Sequence, residues 1–248
     1  MKEVLDKHYR RLADEYDNFL DYSPEFVRAL TSRMVQKLAL EPGDVLADIG
    51  CGTGIYSLDI LRQVSLREPV IGVDPFAEML AKIPDEATIV PVAEDALVFS
   101  RRPAAYNKVL IKETIHHVPA RDEFFANMYG NLPPGGIMLL VHVPPDVQYP
   151  LFDAALARCL NWHADPAVLQ EQLAAAGFRV EREGLDIRHR LPKEHYHRMV
   201  RSCYMSVLTS FSEEELAAGL AEMEEKHADL EVLEFIDHFD YLTAVKPQ

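Results

Sequence analysis

Several features are scarce in this sequence, and each scarcity excludes a class of protein. Three cysteines, far apart among 248 residues, make no disulfide framework and no C-x-x-C zinc motif. No apolar run has the length of a membrane span, and residues 1–19 lack the apolar centre of a signal peptide. Basic residues are outnumbered, 25 against 40 acids, and the net charge of −15 argues against nucleic acid or an anionic membrane as the main partner. We expect a cytoplasmic protein with reduced thiols.

Apolar residues, in contrast, are plentiful and regularly spaced along the chain. They make up 48% of the chain, which is enough for a packed core, and the length suits one large domain. Five short apolar runs alternate with helical segments between residues 44 and 143, which predicts a parallel sheet with helices on both faces. Two later segments, 178–191 and 232–246, alternate like strands and are expected to pair at one sheet edge. Between them we predict helices over 193–211 and from Ser212 to about residue 228.

The stretch Asp44 to Gly54, DVLADIGCGTG, organises the rest of the chain. Its apolar part suits a buried strand, and the glycines that follow permit backbone conformations closed to other residues. The next ten residues have helical spacing. A strand, a glycine-rich turn and a helix N-terminus together form a cradle for a nucleotide-like ligand.

The spacing D-x-G-x-G-x-G, with Asp74 twenty residues after Gly54, resembles the class I S-adenosylmethionine-dependent methyltransferases of the small-molecule branch. The segments IGVDPFAEML, NKVLIKETIHHV and NLPPGGIMLLV are similar to that family's second, fourth and fifth strand regions. The resemblance is strong over 41–145 and extends in outline over 177–247. A turn of this kind alone also serves NAD enzymes.

The resemblance implies a fold and a domain plan. The fold is a Rossmann-like seven-stranded sheet, mostly parallel, with a C-terminal antiparallel hairpin and helices on both faces. Residues 1–248 would form a single domain. Within it, residues 1–40 would be an N-terminal helical lid, 41–145 the cofactor-binding core, and 191–230 a helical cap inserted between the last two strands.

S-adenosyl-L-methionine is the cofactor that the resemblance implies. Gly50 and Gly52 would leave space for its methionine and ribose portions, Asp48 would accept a hydrogen bond from its ammonium group, and Asp74 would accept from both ribose hydroxyls. Where the family often has an acid that accepts from the adenine amino group, this chain has Val92, so adenine recognition would shift to neighbouring groups. The remaining predicted cofactor residues are Tyr16, Cys51, Gly54, Pro75, Phe76, Ala93, Glu94 and Lys112.

Three histidines are candidates for catalysis. His116 and His117 follow the fourth apolar run, and His142 ends the fifth. Ligand sites in such sheets lie at the carboxyl ends of strands, where a histidine can take a proton from an acceptor. The alternative is that these histidines only orient or support a loop.

A locally basic stretch, 188–201, is the predicted source of substrate contacts. On a helix beginning near Lys193, the side chains of His197, Arg201 and Tyr204 would share one face and could bind an anionic group. The alternative is a solvated face that pairs with the acids of 213–234. His195 and His197 have the spacing of a ligand pair, but no third ligand is fixed by spacing, so we predict no metal.

The sequence therefore predicts methyl transfer from S-adenosylmethionine to a small, acidic or zwitterionic metabolite by in-line displacement, in a monomer or homodimer. Methylation of a protein, or less favourably of RNA, is one alternative. A non-catalytic module that only binds S-adenosylmethionine is another. Methylation of arsenite or of a thiol, using Cys159 and Cys203, is a remote further alternative.

Overall fold

The computed structural model describes residues 24–103 and 105–248 of the chain. Predictions for Tyr16 and for the first part of the 1–40 lid lie outside these residues. Helix α1, Pro24–Leu38, is the described part of the N-terminal segment. It starts with proline, which is pre-organised for a first helical turn, and it buries a stripe at helical spacing that includes Phe26, Leu30 and Met34.

The cofactor-binding core predicted from the sequence consists of alternating strands and helices. The strands are β1 (Leu46–Ile49), β2 (Val70–Val73), β3 (Ile89–Val92), β4 (Lys108–Lys112) and β5 (Ile137–His142). The helices are α2 (Ile55–Gln63), α3 (Ala77–Leu80), α4 (Ala96–Ser100), a 3-10 turn over Ile115–His117, and α5 (Arg121–Asn131).

The second half of the chain contains longer elements. They are α6 (Asp153–Trp162), α7 (Pro166–Ala175), β6 (Arg179–Pro192), α8 (Lys193–Arg201), a 3-10 turn over Ser206–Ser210, α9 (Glu213–Lys226) and β7 (Val232–Val245). Helix α9 starts with the predicted capping box, in which the Ser212 side chain accepts from the Glu215 N–H and the Glu215 side chain accepts from the Ser212 N–H.

The described strands form a seven-stranded sheet in the order β3-β2-β1-β4-β5-β7-β6. Strands β1 to β5 pair in parallel, and β7 runs antiparallel to β5. This confirms the predicted fold class. The strand order reverses between β1 and β4, so the crevice for a ligand is expected outside the carboxyl ends of these two strands.

Clustering of the contacts divides the chain into two compact units. We call one the sheet unit; its described residues are 24–142, Asp165–Gly184 and Asp240–Gln248. The other, which we call the helical unit, comprises Val143–Ala164 and Leu185–Phe239 in its described part. The division of the whole chain into a lid, a core and a cap of one domain stays a prediction.

The helix predicted over 193–211 is shorter in the structure, because α8 ends at Arg201. Cys203 adopts φ +56°, and the N–H groups of Cys203 and Tyr204 donate to the carbonyls of Val200 and Met199 at 2.9 and 3.1 Å. This is a Schellman C-cap, which glycine usually occupies. Because a cysteine takes the left-handed position, no glycine marks the end of this helix in the sequence, and its early end could not be predicted.

Among the described helices, none combines the length and the apolar character that crossing a membrane requires.

Candidate cofactor and active site

The glycine-rich turn lies directly after β1, in the sheet unit. Gly50, Gly52 and Gly54 have φ of +79°, +55° and +78°, in the left-handed region that favours glycine. The N–H groups of Gly50 and Cys51 both donate to the carbonyl of Val73, at 2.7 and 3.0 Å. These bonds join the turn to the end of β2, so the carboxyl ends of the two strands are held together.

The three glycines serve different purposes. A Cβ on Gly50 would lie 1.9 Å from Oγ1 of Thr114, so the Thr114 side chain fills that space. A Cβ on Gly54 would approach Ile83 to 3.2 Å, whereas one on Gly52 would meet only the tip of Met79, at 3.4 Å. At Gly50 the absent side chain thus makes room for Thr114, and the cofactor-binding role of Gly50 stays a prediction. Gly52 is the glycine whose backbone stays open to a ligand.

The Asp74 carboxylate stabilises this turn from the end of β2. Its Oδ2 accepts from the Gly52 N–H at 3.0 Å, and its Oδ1 accepts from the Phe76 N–H at 2.9 Å. Burial raises the pKa of Asp74, and the two backbone hydrogen bonds oppose that rise. A carboxylate has about four lone-pair sites, so both oxygens keep capacity for the hydroxyl donors of a ribose.

Asp48, within β1, is buried beneath the turn. Ser57 Oγ donates to its Oδ2 at 2.6 Å. Burial raises the pKa of Asp48 to about 6; the neighbouring Asp74 adds to the rise, while the Ser57 hydrogen bond and Lys112 oppose it. A cationic group near Asp48 would favour its ionised form, which is consistent with the role predicted for it.

The raised pKa of Asp48 predicts a pH-dependent contribution to stability. The folded state holds this proton up to about pH 6, while the unfolded chain loses it near the ordinary aspartate pKa of about 3.9. The contribution of protonated Asp48 to the free energy of unfolding is fully present below the pKa of the unfolded chain. It is lost as pH rises through the pKa of Asp48 in the folded state. Relative to the wild type, Asp48→Asn should therefore gain up to about 3 kcal/mol between pH 4 and pH 7, at about 1.4 kcal/mol per pKa unit. Urea denaturation of both proteins at these pH values measures this gain, and a constant difference would contradict the assignment.

Two buried polar atoms near the ends of the strands lack hydrogen-bond partners among residues 24–103 and 105–248. They are the Tyr56 hydroxyl, in the first turn of α2, and Oε2 of Glu94, which follows β3. The other Glu94 oxygen pairs with Arg102, and the Lys112 ammonium lies 4.6 Å from the Tyr56 ring centroid. An unsatisfied buried polar atom costs free energy. Together with the open Gly52 backbone and the Asp74 carboxylate, these atoms fit a polar nucleoside such as that of S-adenosylmethionine.

Among the described residues, the other predicted cofactor residues follow the same turn or the ends of the strands. Pro75 and Ala93 are exposed, and Phe76 and Lys112 are half-buried. Cys51 is buried, and burial raises the pKa of its thiol strongly. A neutral thiol of this kind packs as a small apolar group, so Cys51 contributes its backbone and its bulk rather than reactivity.

The three candidate histidines come together in the sheet unit. The ring centroids of His116 and His117 lie 4.0 Å apart, and those of His116 and His142 lie 5.8 Å apart. His142 is fully buried, and its Nδ1 is 3.3 Å from Oε1 of Glu113. Sequence reasoning did not select Glu113, although it is an acid directly after β4. Tyr56, Ser57 and Thr114 were also missed, because only their packing identifies them.

The predicted substrate residues lie in the helical unit, and the structure does not place them on one helix face. His197 is buried, with Nδ1 2.8 Å from Glu224 and Nε2 3.2 Å from Nδ1 of His227. Tyr204 lies beyond the end of α8; its hydroxyl is 3.1 Å from that of Tyr196, and burial raises its pKa. Arg201 is exposed. The prediction of one shared helix face is wrong for Tyr204, because the helix ends at Arg201.

Much of the basic stretch is paired with acids. Arg190 contacts Glu234 at 3.2 Å, Lys193 contacts Glu224 at 3.7 Å, and His189 contacts Asp237 at 2.7 Å. The pairs with Glu224 and Glu234 are those that the alternative prediction named, a face that pairs with the acids of 213–234; Asp237 lies just beyond that range. They reduce the net positive charge that an anionic substrate would find there.

Comparisons with known proteins agree with the fold. Residues 19–202 match a family model described as a methyltransferase domain. Because this match covers most of the chain, the protein belongs to the family of S-adenosylmethionine-dependent methyltransferases.

Two curated relatives and one solved structure illustrate the similarity. The chain is 27% identical over 147 residues to C-methyltransferase NovU of Streptomyces niveus. The matched region covers 57% of this chain and 33% of that protein. It is 27% identical over 106 residues to phosphoethanolamine N-methyltransferase 2 of Caenorhabditis elegans. That match covers 40% of this chain and 24% of that protein. The crystal structure of a putative methyltransferase from an antibiotic biosynthesis pathway of Anabaena variabilis superposes with a TM-score of 0.65 at 18% identity, over 86% of this chain and 96% of that one. The chain thus spans about a third or less of the length of these two curated relatives.

Proposed function

We propose that this protein transfers a methyl group from S-adenosylmethionine to a small molecule. The observation that carries the proposal is the turn itself: the Asp74 carboxylate, bound to the Gly52 and Phe76 N–H groups, keeps acceptor capacity for a ribose beside the open Gly52 backbone. The family to which the chain belongs uses this cofactor.

Bound S-adenosylmethionine supplies a methyl group on a sulfonium, which is electrophilic without further activation. The protein's own contribution would be alignment and exclusion of water. Asp74 would hold the ribose hydroxyls, Asp48 would balance the charge of the ammonium group, and Glu94 Oε2 would accept from the adenine side. His116, His117 or His142 would take the proton of an acceptor that carries one.

A small acceptor is supported by charge and by the relatives. The net charge of −15 opposes binding to the phosphate backbone of RNA. One relative acts, by its name, on phosphoethanolamine. An acidic or zwitterionic acceptor stays part of the proposal, although the ion pairs of the basic stretch weaken its support. A monomer or homodimer in the cytoplasm likewise remains part of the proposal.

The test is formation of S-adenosylhomocysteine from S-adenosylmethionine in the presence of fractionated cell extract. We expect product with the low-molecular-mass fraction and none with purified RNA or protein fractions. Asp74→Asn, which removes the ionised carboxylate at constant shape, is the matched negative control. Product formed only with RNA, and binding that falls steeply with salt, would show the RNA alternative to be right. Binding of S-adenosylmethionine without product from any fraction would favour the non-catalytic module.

A further inference from the structure

Three side chains of types that can ligate a metal converge at the carboxyl ends of β4 and β5. Glu113 follows β4, His116 lies on the 3-10 turn after it, and His142 ends β5. Each offers one ligand atom, and these atoms lie within 4.8 Å of one another. The sequence predicted no metal, because the histidine pair it considered, His195 and His197, belongs to a different segment.

We propose that Glu113, His116 and His142 bind a divalent transition-metal ion, with Zn²⁺ as the first choice. Two imidazoles and one carboxylate form the ligand set of many catalytic zinc sites, which keep a further position open. The same donors suit ferrous iron. The bond lengths typical of zinc, about 2.0–2.2 Å, place neighbouring ligand atoms of a tetrahedron about 3.4 Å apart. The observed 3.3 Å between His142 Nδ1 and Glu113 Oε1 fits such an edge.

The backbone supports this assignment independently. Glu113 has φ +52°, which is unfavourable for a residue with a side chain. Ala39 and Cys203 also have positive φ, and each follows the end of a helix, where that conformation is common. Glu113 instead follows a strand, and its N–H donates to the Val141 carbonyl at 2.9 Å. Strained residues of this kind are concentrated at ligand sites, because the surrounding structure must hold them in place.

Neighbouring contacts hold the loop that carries Glu113. Thr114 fills the space beside Gly50, so the residue after Glu113 is packed against the glycine turn. The ammonium group of Lys112, the residue before Glu113, lies 4.6 Å from the Tyr56 ring centroid. Glu113 and His116 are half-buried and His142 is fully buried. Both ring nitrogens of His116 and Nδ1 of His142 are buried atoms, so the ligand atoms lie in a site that is shielded from solvent.

An ion at this place has a chemical use. With His116 and His142 bound to the ion, neither would take the proton of the acceptor. An open position of the ion would instead bind a hydroxyl or thiol of the acceptor, whose proton is released to solvent because the cation stabilises the anion. This use rests on the proposed methyl transfer. Binding of the ion itself does not rest on it, so the two can be tested separately.

The test is a titration of chelator-treated protein with Zn²⁺ in competition with a chromophoric chelator, repeated with Co²⁺ to record the visible absorption of a tetrahedral site. We expect one ion per chain. Glu113→Gln and His116→Gln should each weaken binding by at least about tenfold, since loss of even an outer partner of a metal ligand costs 10–100-fold. His117→Gln is the matched control, because it changes the adjacent histidine of the same 3-10 turn, and it should bind zinc as the wild type does.

His142→Gln alters a fully buried side chain, so Glu113→Gln and His116→Gln decide the matter if that variant does not fold. Zinc binding that is absent in the wild type, or equal in the wild type and the Glu113→Gln/His116→Gln variant, would overturn the proposal. Zinc binding without affinity for S-adenosylhomocysteine would leave this site standing and remove the proposed function; the reverse result would remove only this site.

Discussion

Asp74→Ala is expected to weaken binding of S-adenosylhomocysteine by at least about 100-fold. The physical reason is the loss of two charge-assisted hydrogen bonds to the ribose, each worth about 1.5–3 kcal/mol, with about 1.4 kcal/mol per tenfold in affinity. The substitution also releases the Gly52 and Phe76 N–H groups, which the carboxylate holds at 3.0 and 2.9 Å. Isothermal titration calorimetry measures the change directly.

The control separates ribose binding from a general loss of structure. Asp165→Ala removes another aspartate of the sheet unit whose carboxylate accepts from a backbone N–H, that of Ala167 at 2.7 Å, at the start of α7. It should cost about 1 kcal/mol of stability, as loss of an N-cap does, and leave the affinity unchanged. If Asp74→Ala is folded and binds with wild-type affinity, the ribose assignment is wrong.

Gly50→Ala is expected to destabilise the protein by about 3 kcal/mol. About 1–2 kcal/mol arises from placing a side chain at φ +79°, and the rest arises from overpacking, which costs about 1–3 kcal/mol. The new Cβ would lie 1.9 Å from Oγ1 of Thr114, so the glycine turn or the loop after β4 must move. Urea denaturation measures the loss.

Two further variants separate these causes. Gly130→Ala, on the exposed side of α5 with nothing within 4 Å of the new Cβ, should stabilise the protein by up to about 1 kcal/mol. Gly50→Ala/Thr114→Gly should regain the overpacking part but keep the cost of the positive φ. Wild-type stability in Gly50→Ala would show that the packing described for Thr114 is wrong.

Local patterns were sufficient to predict most of the fold. The strand before Gly50, the alternation of strands and helices that indicates a parallel sheet, and the capping box at Ser212 are all encoded by residues close together in the chain. The Asp74 position was found because its distance from the glycines is set by one βαβ unit. Within residues 24–103 and 105–248, the predicted helix over 193–211 was too long, because Cys203 takes a conformation that glycine usually takes.

The sequence by itself therefore determined the class of fold, the turn and the acid that faces it, since periodicity and turn chemistry are encoded within a few residues. Only the tertiary structure decided that Thr114 fills the space at Gly50, that Lys193 pairs with Glu224, and that Glu113 lies beside His142. These contacts join residues about 30 to 64 positions apart. Which side chains meet over such distances depends on how whole elements pack, and no local pattern records that.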